Sequence, residues 1–417
     1  MLHETKEIED KYILIYVSGS NNLRDEESFL ELEELVKTSG NSVIGYLSQN
    51  LDKANPKTYF GKGKVEELYE LIEETGADGI VADDELSAIQ IKNLYNELKI
   101  KILDRTTIIL DIFAQRATSS EGKLQIELAR LQYRRAHLIG DGLAMSRMGG
   151  GSSNINRGSG ETKLETDRRL INDRIHALQS ELKTVVKQRN ILRENHSKNK
   201  MPVVSMVGYT NAGKSTLLNA LTSAGVLAED KLFATLDAVS RRVELSNSSI
   251  LFVDTVGFIQ KLPHNLINAF KSTLEEVLYA DILIHVVDAS SPIRDEQMRT
   301  VYDTLKSLNC EKPIITVFNK CDKAVEYPLP NDVNAIKTLK ISAKNNYNLD
   351  EFKNIIEEVI KSSKKYVEII LPYSEGTLLN IIHEKCEIEE EEYVENGIAL
   401  KFFCHSKIYN KVEEYKI

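Results

Sequence analysis

The chain has 417 residues, 42% of them hydrophobic, with a formal net charge of −10 at pH 7. That length and apolar content leave room for two to four folded domains and exclude a globally disordered chain. Its four cysteines (Cys310, Cys321, Cys386, Cys404) form no C-x-x-C pair, which sets aside a zinc ribbon or a disulfide framework; the charged N-terminus and the lack of any apolar run near the ~20 residues of a membrane span point to a cytoplasmic protein.

Residues 11–104 alternate strand and helix signals. Tyr12–Val17 is an apolar strand, and Phe29, Leu32, Leu35 and Val36 form a helical stripe. A strand at 42–48, a loop to Lys64, a helix at 65–75, a strand at 78–82, a helix at 87–98 and a strand at 100–103 follow. This alternation predicts an N-terminal α/β domain over residues 1–110 with a small parallel sheet. The turn Gly61-Lys62-Gly63-Lys64 lacks the preceding strand and the spacing of a phosphate loop. It reads as a basic surface loop in which Lys62 and Lys64 could touch an RNA backbone.

Residues 111–200 differ in character. Leu124, Leu128, Leu131 and Leu138 fall at helical spacing, and Leu164, Ile171, Ile175, Leu178, Leu182, Val185 and Leu192 continue the pattern, predicting an antiparallel helical hairpin. Residues 116–200 carry 17 Lys and Arg against 9 Asp and Glu, a local +8, while the remainder sums to −18. Such a segment is either a polyphosphate-binding footprint or a solvated pair of charged helices, and charge alone leaves both open. The connection, Gly140 to Glu161, is far longer than a helix hairpin needs. Its glycines with Arg147 and Arg157 could approach nucleic-acid phosphates, the competing reading being a flexible linker.

Residues 201–363 carry the chemistry. An apolar strand (Val203, Val204, Met206, Val207) runs into Gly208-Tyr209-Thr210-Asn211-Ala212-Gly213-Lys214-Ser215-Thr216, which fits G-x-x-x-x-G-K-[ST], and a helix with Leu217, Leu218 and Leu221 follows. The glycines let backbone N–H groups converge on an oxyanion at a helix N-terminus, Lys214 reaches the β- and γ-phosphates, and Ser215 ligates Mg²⁺. Asp254-Thr255-Val256-Gly257 follows another strand, placing a metal-associated aspartate and a glycine under the γ-phosphate. Between them Phe233-Ala234-Thr235 offers Thr235 as the switch threonine that closes on Mg²⁺. Asn319-Lys320-Cys321-Asp322 after an apolar strand selects guanine, since a buried Asp322 carboxylate pairs with the base's N1–H and 2-amino groups and rejects adenine. Asn319 braces that loop, the Lys320 stem lies along the purine, and Ser342-Ala343-Lys344 offers a backbone N–H to the guanine oxygen. The expected fold is thus α/β and multidomain, with a doubly wound P-loop GTPase domain over 201–363 and a small C-terminal α+β module over 364–417.

These motifs, the glycine turn at 60–64, the segment from Asp104-Arg105 to Arg116, Gly149–Gly151 and the run from Arg157 to Arg169 together resemble the HflX family of ribosome-associated P-loop GTPases. The resemblance implies GTP hydrolysis, binding to the large ribosomal subunit with the hairpin tip directed at its peptidyl transferase region, and splitting of stalled or idle ribosomes under stress. Ser159 stands where relatives usually have proline. Phe258 occupies the position where many GTPases carry a water-orienting glutamine, so slow intrinsic hydrolysis is expected. Asn211 resembles the asparagine with which potassium-dependent relatives hold K⁺. A monomer is expected. Two rival readings remain, a nucleotide-stabilised RNA-binding scaffold and an RNA-remodelling ATPase.

Overall fold

The structure, a computed structural model, describes residues 9–19, 22–148, 157–197, 201–222, 233, 239–245, 249–261, 276–323 and 329–417. Within them lie three sheets and a long helical hairpin.

The first sheet has strand order β2-β1-β3-β4, all parallel: β1 Lys11–Ser18, β2 Ser42–Asn50, β3 Gly79–Ala82 and β4 Lys101–Asp104. Tyr12 through Ile15 are all buried, the continuous apolar run of a strand covered on both faces. Helices α1 (Asn22–Thr38), α2 (Lys62–Thr75) and α3 (Ala88–Leu98) connect the strands. Helix α3 begins with a capping box in which the Ser87 hydroxyl accepts from the Gln90 N–H and the Gln90 side chain accepts from the Ser87 N–H. The sequence reading did not foresee α4, Arg105–Arg116. Its Ile108, Ile109, Leu110, Ile112 and Phe113 are all buried, and only a narrow polar side, Thr107, Asp111 and Gln115, is left partly open.

Helices α5 (Ser120–Met148) and α6 (Arg157–Ser197) form the expected hairpin. Leu128, Ile171, Ile175 and Leu178 make its core, with Leu124, Leu131, Leu138 and Leu182 against them. Arg174 pairs with Glu127 at 2.8 Å and Arg135 donates to Asn172 at 3.3 Å, which fixes the antiparallel sense. The helical backbone reaches further than expected. Residues 140–148 and 157–161, assigned above to the connection, are helical despite the roughly 1 kcal/mol that each glycine in a helix costs. Residues 149–156 lie outside the described part.

The second sheet has order β10-β9-β8-β5-β7-β6. Strands β5 (Val203–Gly208), β7 (Ser249–Asp254), β8 (Ile282–Asp288), β9 (Ile314–Asn319) and β10 (Lys337–Lys340) are parallel, and β6 (Val239–Glu244) is antiparallel to β7. The expected helix at 264–280 falls outside the described residues except for a helical turn at 276–279. Helices α7 (Lys214–Thr222), α8 (Arg294–Ser307) and α9 (Leu349–Ser363) flank the sheet. Strand β6, also unforeseen, buries Val243 and leaves Arg241, Arg242 and Glu244 exposed at the sheet edge, where charge discourages further pairing.

The last sheet, β11-β13-β12, is antiparallel: β11 Lys364–Leu371, β12 Glu387–Val394 and β13 Gly397–His405, with α10 (Gly376–Lys385) and α11 (Ser406–Val412). The acidic stretch at 387–392 lies in the edge strand β12. Among the described residues no helix is long and apolar enough to cross a membrane.

One apolar cluster joins the parts that surround the nucleotide motifs. It contains Leu14, Leu32 and Val81 around the first sheet, Ile109 and Phe113 of α4, Ile126 of α5, and Val207, Tyr209, Val256, Phe258 and Ile259 of the second. The first sheet and the phosphate loop therefore share a core.

Candidate nucleotide-binding site

Strand β5 delivers the chain into the loop and α7 takes it away at Lys214. Two glycines are dictated by space. A Cβ at Gly208 would meet the Val286 carbonyl at 2.2 Å, and at Gly213 (φ +94°) it would meet Asn319 Nδ2 at 2.3 Å. Asn211 adopts a left-handed φ of +58°, which asparagine tolerates. Lys214 is buried, with Nζ donating to the carbonyls of Gly208 (3.1 Å) and Tyr209 (2.9 Å). Burial depresses its pKa to about 8, with Asp254 pulling the other way, so an anion brought to this ammonium gains from its desolvation.

Asp254, at the end of β7, accepts from the Ser215 hydroxyl at 2.8 Å. Among the described residues no group of three His, Cys, Asp or Glu could hold a metal. A hydroxyl and one carboxylate form the oxygen donor set of a Mg²⁺ shared with phosphates, and these residues fit that ion. Thr210 Oγ1 is buried with no hydrogen-bond partner among the described residues, an orphaned polar atom inside the loop. Thr216 lies half-buried in α7.

The segment from Thr255 to Lys261 lies against the loop. Thr255 Oγ1 donates to the Met206 carbonyl at 2.6 Å, which makes it a structural peg, and Val256 is buried in the shared core. A Cβ at Gly257 would meet Thr210 Cα at 2.9 Å and Lys214 Nζ at 3.1 Å, so only glycine allows this approach. The Phe258 backbone pairs with the loop on both sides: Thr210 N–H donates to its carbonyl at 2.7 Å, and its N–H donates to the Gly208 carbonyl at 3.1 Å. The Phe258 ring is buried in the core. Phe233 also turns to the core, its ring packed edge-on against Phe113 with centroids 4.6 Å apart. Ala234 and Thr235 lie outside the described residues.

At the end of the site where the sequence predicts the base, Asn319 is the brace. Its Nδ2 donates to the Ala212 carbonyl and its Oδ1 accepts from the Ala343 N–H, both at 2.9 Å, so one amide side chain ties the phosphate loop to the 342–344 turn. That commits the Ala343 N–H to Asn319, with Lys344 next in the turn. Lys320 (φ +63°) pairs through Nζ with Asp288 at 2.8 Å, which aligns its stem. Asp322, expected to be buried, is exposed. Its Oδ1 accepts from the Ser342 hydroxyl at 2.6 Å, and this bond lowers the carboxyl's pKa and keeps it ionised. Its orientation comes from Ser342 and not from desolvation.

A buried charge cluster, which sequence reasoning missed, grips the loop from the first sheet. The Tyr209 hydroxyl donates to Glu31 of α1 at 2.7 Å and accepts from the Gln260 N–H at 2.8 Å. Arg105, at the start of α4, pairs with Glu31 at 2.5 Å and with Asp83 at 2.8 Å. Lys261 reaches Asp83 at 2.5 Å and Asp84 at 2.8 Å. Burial pushes the Glu31 carboxyl up against the pull of Arg105. Burial pushes Asp83 up as well, but Arg105 and Lys261 outweigh it and hold that carboxyl below its usual range. These residues come from α1, the ends of β3 and β4, and the two nucleotide motifs. Their only local signal is Asp83-Asp84 closing an apolar strand.

The basic residues proposed for RNA fare differently. Lys62 and Lys64 lie in the first turn of α2, not in a loop, because Gly61 in extended conformation starts the helix earlier. Lys62 is exposed 4.0 Å from Glu66, and Lys64 is mostly covered and paired with Glu67 at 2.8 Å. Arg147 and Arg157 fall within the facing ends of α5 and α6, and their side chains lie outside the described part.

Three family models match in succession: a GTP-binding GTPase N-terminal region over residues 26–114, a GTP-binding GTPase middle region over 116–196, and a 50S ribosome-binding GTPase over 203–320. Among curated proteins, GTPase HflX of Lacrimispora saccharolytica is 50% identical over 98% of this chain and 96% of its own length. That of Caldanaerobacter subterraneus subsp. tengcongensis is 48% identical over 94% and 91%, and that of Escherichia coli 37% identical over 93% and 92%. With a strand, glycine loop and helix in the P-loop order, an asparagine tie from that loop to the 342–344 turn and near full-length similarity at these identities, the chain belongs to the HflX family of P-loop GTPases.

Proposed function

We propose that GTP binding and hydrolysis at this site control the chain's hold on the large ribosomal subunit, and that it splits or rescues stalled or idle ribosomes in the cytoplasm, as a monomer. The observation that carries this reading is the basic hairpin α5–α6, which feeds into β5 and whose base shares a core with the phosphate loop and the 256–259 segment. The match of residues 203–320 to a ribosome-binding GTPase family supports it. We divide the chain into four working units, 1–110, 111–200, 201–363 and 364–417.

In this mechanism the amides from Gly208 to Ser215 cradle the phosphates and Lys214 bridges the β- and γ-groups. Asp322, oriented by Ser342, accepts from guanine. Ser215, Asp254 and Thr235 would hold Mg²⁺, which when bound would neutralise charge on the phosphate oxygens. Asn211 is exposed in the loop and would be the ligand of a K⁺; equal turnover in KCl and NaCl would remove that role. Phe258 offers no polar atom to orient water, so intrinsic hydrolysis is slow and the ribosome accelerates it by ordering the segments around Thr235 and Gly257.

The deciding experiment measures GTP turnover with and without purified large subunits, in the natural chain and in a variant with residues 149–156 shortened. Stimulation that the shortened variant loses supports the reading; turnover indifferent to large subunits refutes it. Competition between ATP and GTP for the site tests the ATPase alternative in the same assay.

A further inference from the structure

The C-terminal sheet carries a pair of cysteines that GTP hydrolysis does not use. In the antiparallel pairing of β12 with β13, Glu387 faces Phe403 and Ile388 faces Phe402. The next position outward in that register sets Cys386 opposite Cys404. Cys386 is extended (φ −111°, ψ 159°) and stands between α10, to whose Ile382 carbonyl its N–H donates, and Glu387, the first residue of β12. Directly opposed residues of an antiparallel pair project on the same face of the sheet. Here it is the inner face: Ile398, Leu400, Phe402 and Cys404 alternate into the module's core, and Cys386 joins them. Both cysteines carry thiols and both are 1% exposed.

The geometry suits a covalent bridge. Opposed residues in an antiparallel ladder have Cα atoms about 4.5–5.5 Å apart, inside the roughly 4.4–6.8 Å that disulfides span. The other two cysteines stand elsewhere and are only half-buried: Cys310 follows α8, and Cys321, in the base-binding loop, donates through Sγ to the Phe318 carbonyl at 3.2 Å. Burial restricts the Cys386–Cys404 pair to small oxidants that reach it when the strand ends open.

We propose that Cys386 and Cys404 form a reversible dithiol–disulfide site, oxidised by small hydroperoxides. One thiolate attacks the peroxide O–O bond and becomes a sulfenic acid while an alcohol, or water from hydrogen peroxide, leaves. The facing thiol then displaces water from the sulfenic sulfur and the S–S bond forms. Two thiols lose two electrons and two protons, and the peroxide bond accepts them. Thiol exchange with a reductant reverses the step. The bond would tie the junction of α10 and β12 to the far end of β13, stapling a module too small to build a large core.

The test treats the full-length chain with hydrogen peroxide, alkylates the remaining thiols and maps peptides by mass. A Cys386–Cys404 cross-linked peptide that dithiothreitol dissolves, with a higher thermal midpoint for the oxidised chain, is the expected result. Oxidation confined to Cys310 and Cys321 overturns the proposal, as does conversion of Cys386 or Cys404 to sulfinic acid without a cross-link. The mapping needs no variant, so folding defects cannot obscure it. A Cys404→Ser chain, where it folds, loses the cross-linked peptide. The outcome is independent of how the nucleotide site works.

Discussion

The parallel first sheet and the mostly parallel second sheet share an architecture and differ in what their carboxyl ends present. In the second sheet, β5 ends in a glycine loop whose amides and buried Lys214 favour an anion. In the first, β3 runs into Asp83 and Asp84, and β4 ends at Asp104. These carboxylates hold cations of their surroundings, Arg105 and Lys261, and Asp104 caps α4. The lesson is that the layered fold supplies a crevice, while the residues in the first turn after each strand decide the charge it accepts. The acidic end of one sheet is docked on the cationic end of the other, and Tyr209 and Lys261 are the contacts from the nucleotide side.

The most severe way to break this arrangement is Arg105→Leu. It leaves Glu31 and Asp83 buried with one cation between them, and we expect a loss of about 3–5 kcal/mol in denaturant unfolding. The parallel change Asp84→Asn, at a half-exposed pair, should cost under about 1 kcal/mol. On the other sheet, Lys214→Ala should lower GTP turnover by about 10²–10³-fold and leave the unfolding midpoint nearly unchanged. A Lys214→Ala chain that acts on ribosomes at the natural rate would favour the scaffold reading.

Asp322→Asn sharpens the base-binding end. The amide can donate where the carboxylate accepted, so the preference for GTP over xanthosine triphosphate should fall by roughly 10–100-fold in competition binding, less than a buried carboxylate would give. The pH dependence of GTP affinity tests Lys214. In the proposed mechanism its charged form binds phosphate, and burial lowers its pKa to about 8, so affinity should hold below that pH and weaken as pH rises through it, by at most about tenfold per unit. Titration calorimetry between pH 7 and 9.5 would show no slope if Lys214 kept its ordinary pKa. Tyr209→Phe removes one donor to Glu31 and one acceptor for the Gln260 N–H. It should cost about 1–2 kcal/mol in stability and alter GTP affinity less than Lys214→Ala.

Local chemistry made much of this legible in the chain. The phosphate loop, the guanine loop and the hairpin each rest on residues within a few positions of one another, where spacing alone dictates geometry. The alternating elements of both parallel sheets were readable for the same reason, since periodicity records which face of each is covered. Helix α4 escaped because its polar side is narrow, Thr107, Asp111 and Gln115 against a long apolar run, and β6 and β12 because edge strands carry charges that mask their alternation. Tertiary structure alone decided that Asp322 stays in solvent and is aimed by Ser342, that Asn319 spans from Ala212 to Ala343, and that Glu31, Asp83 and Arg105 meet Tyr209 and Lys261. Burial and ion pairing join residues as many as 178 positions apart, and no short-range pattern encodes such a meeting.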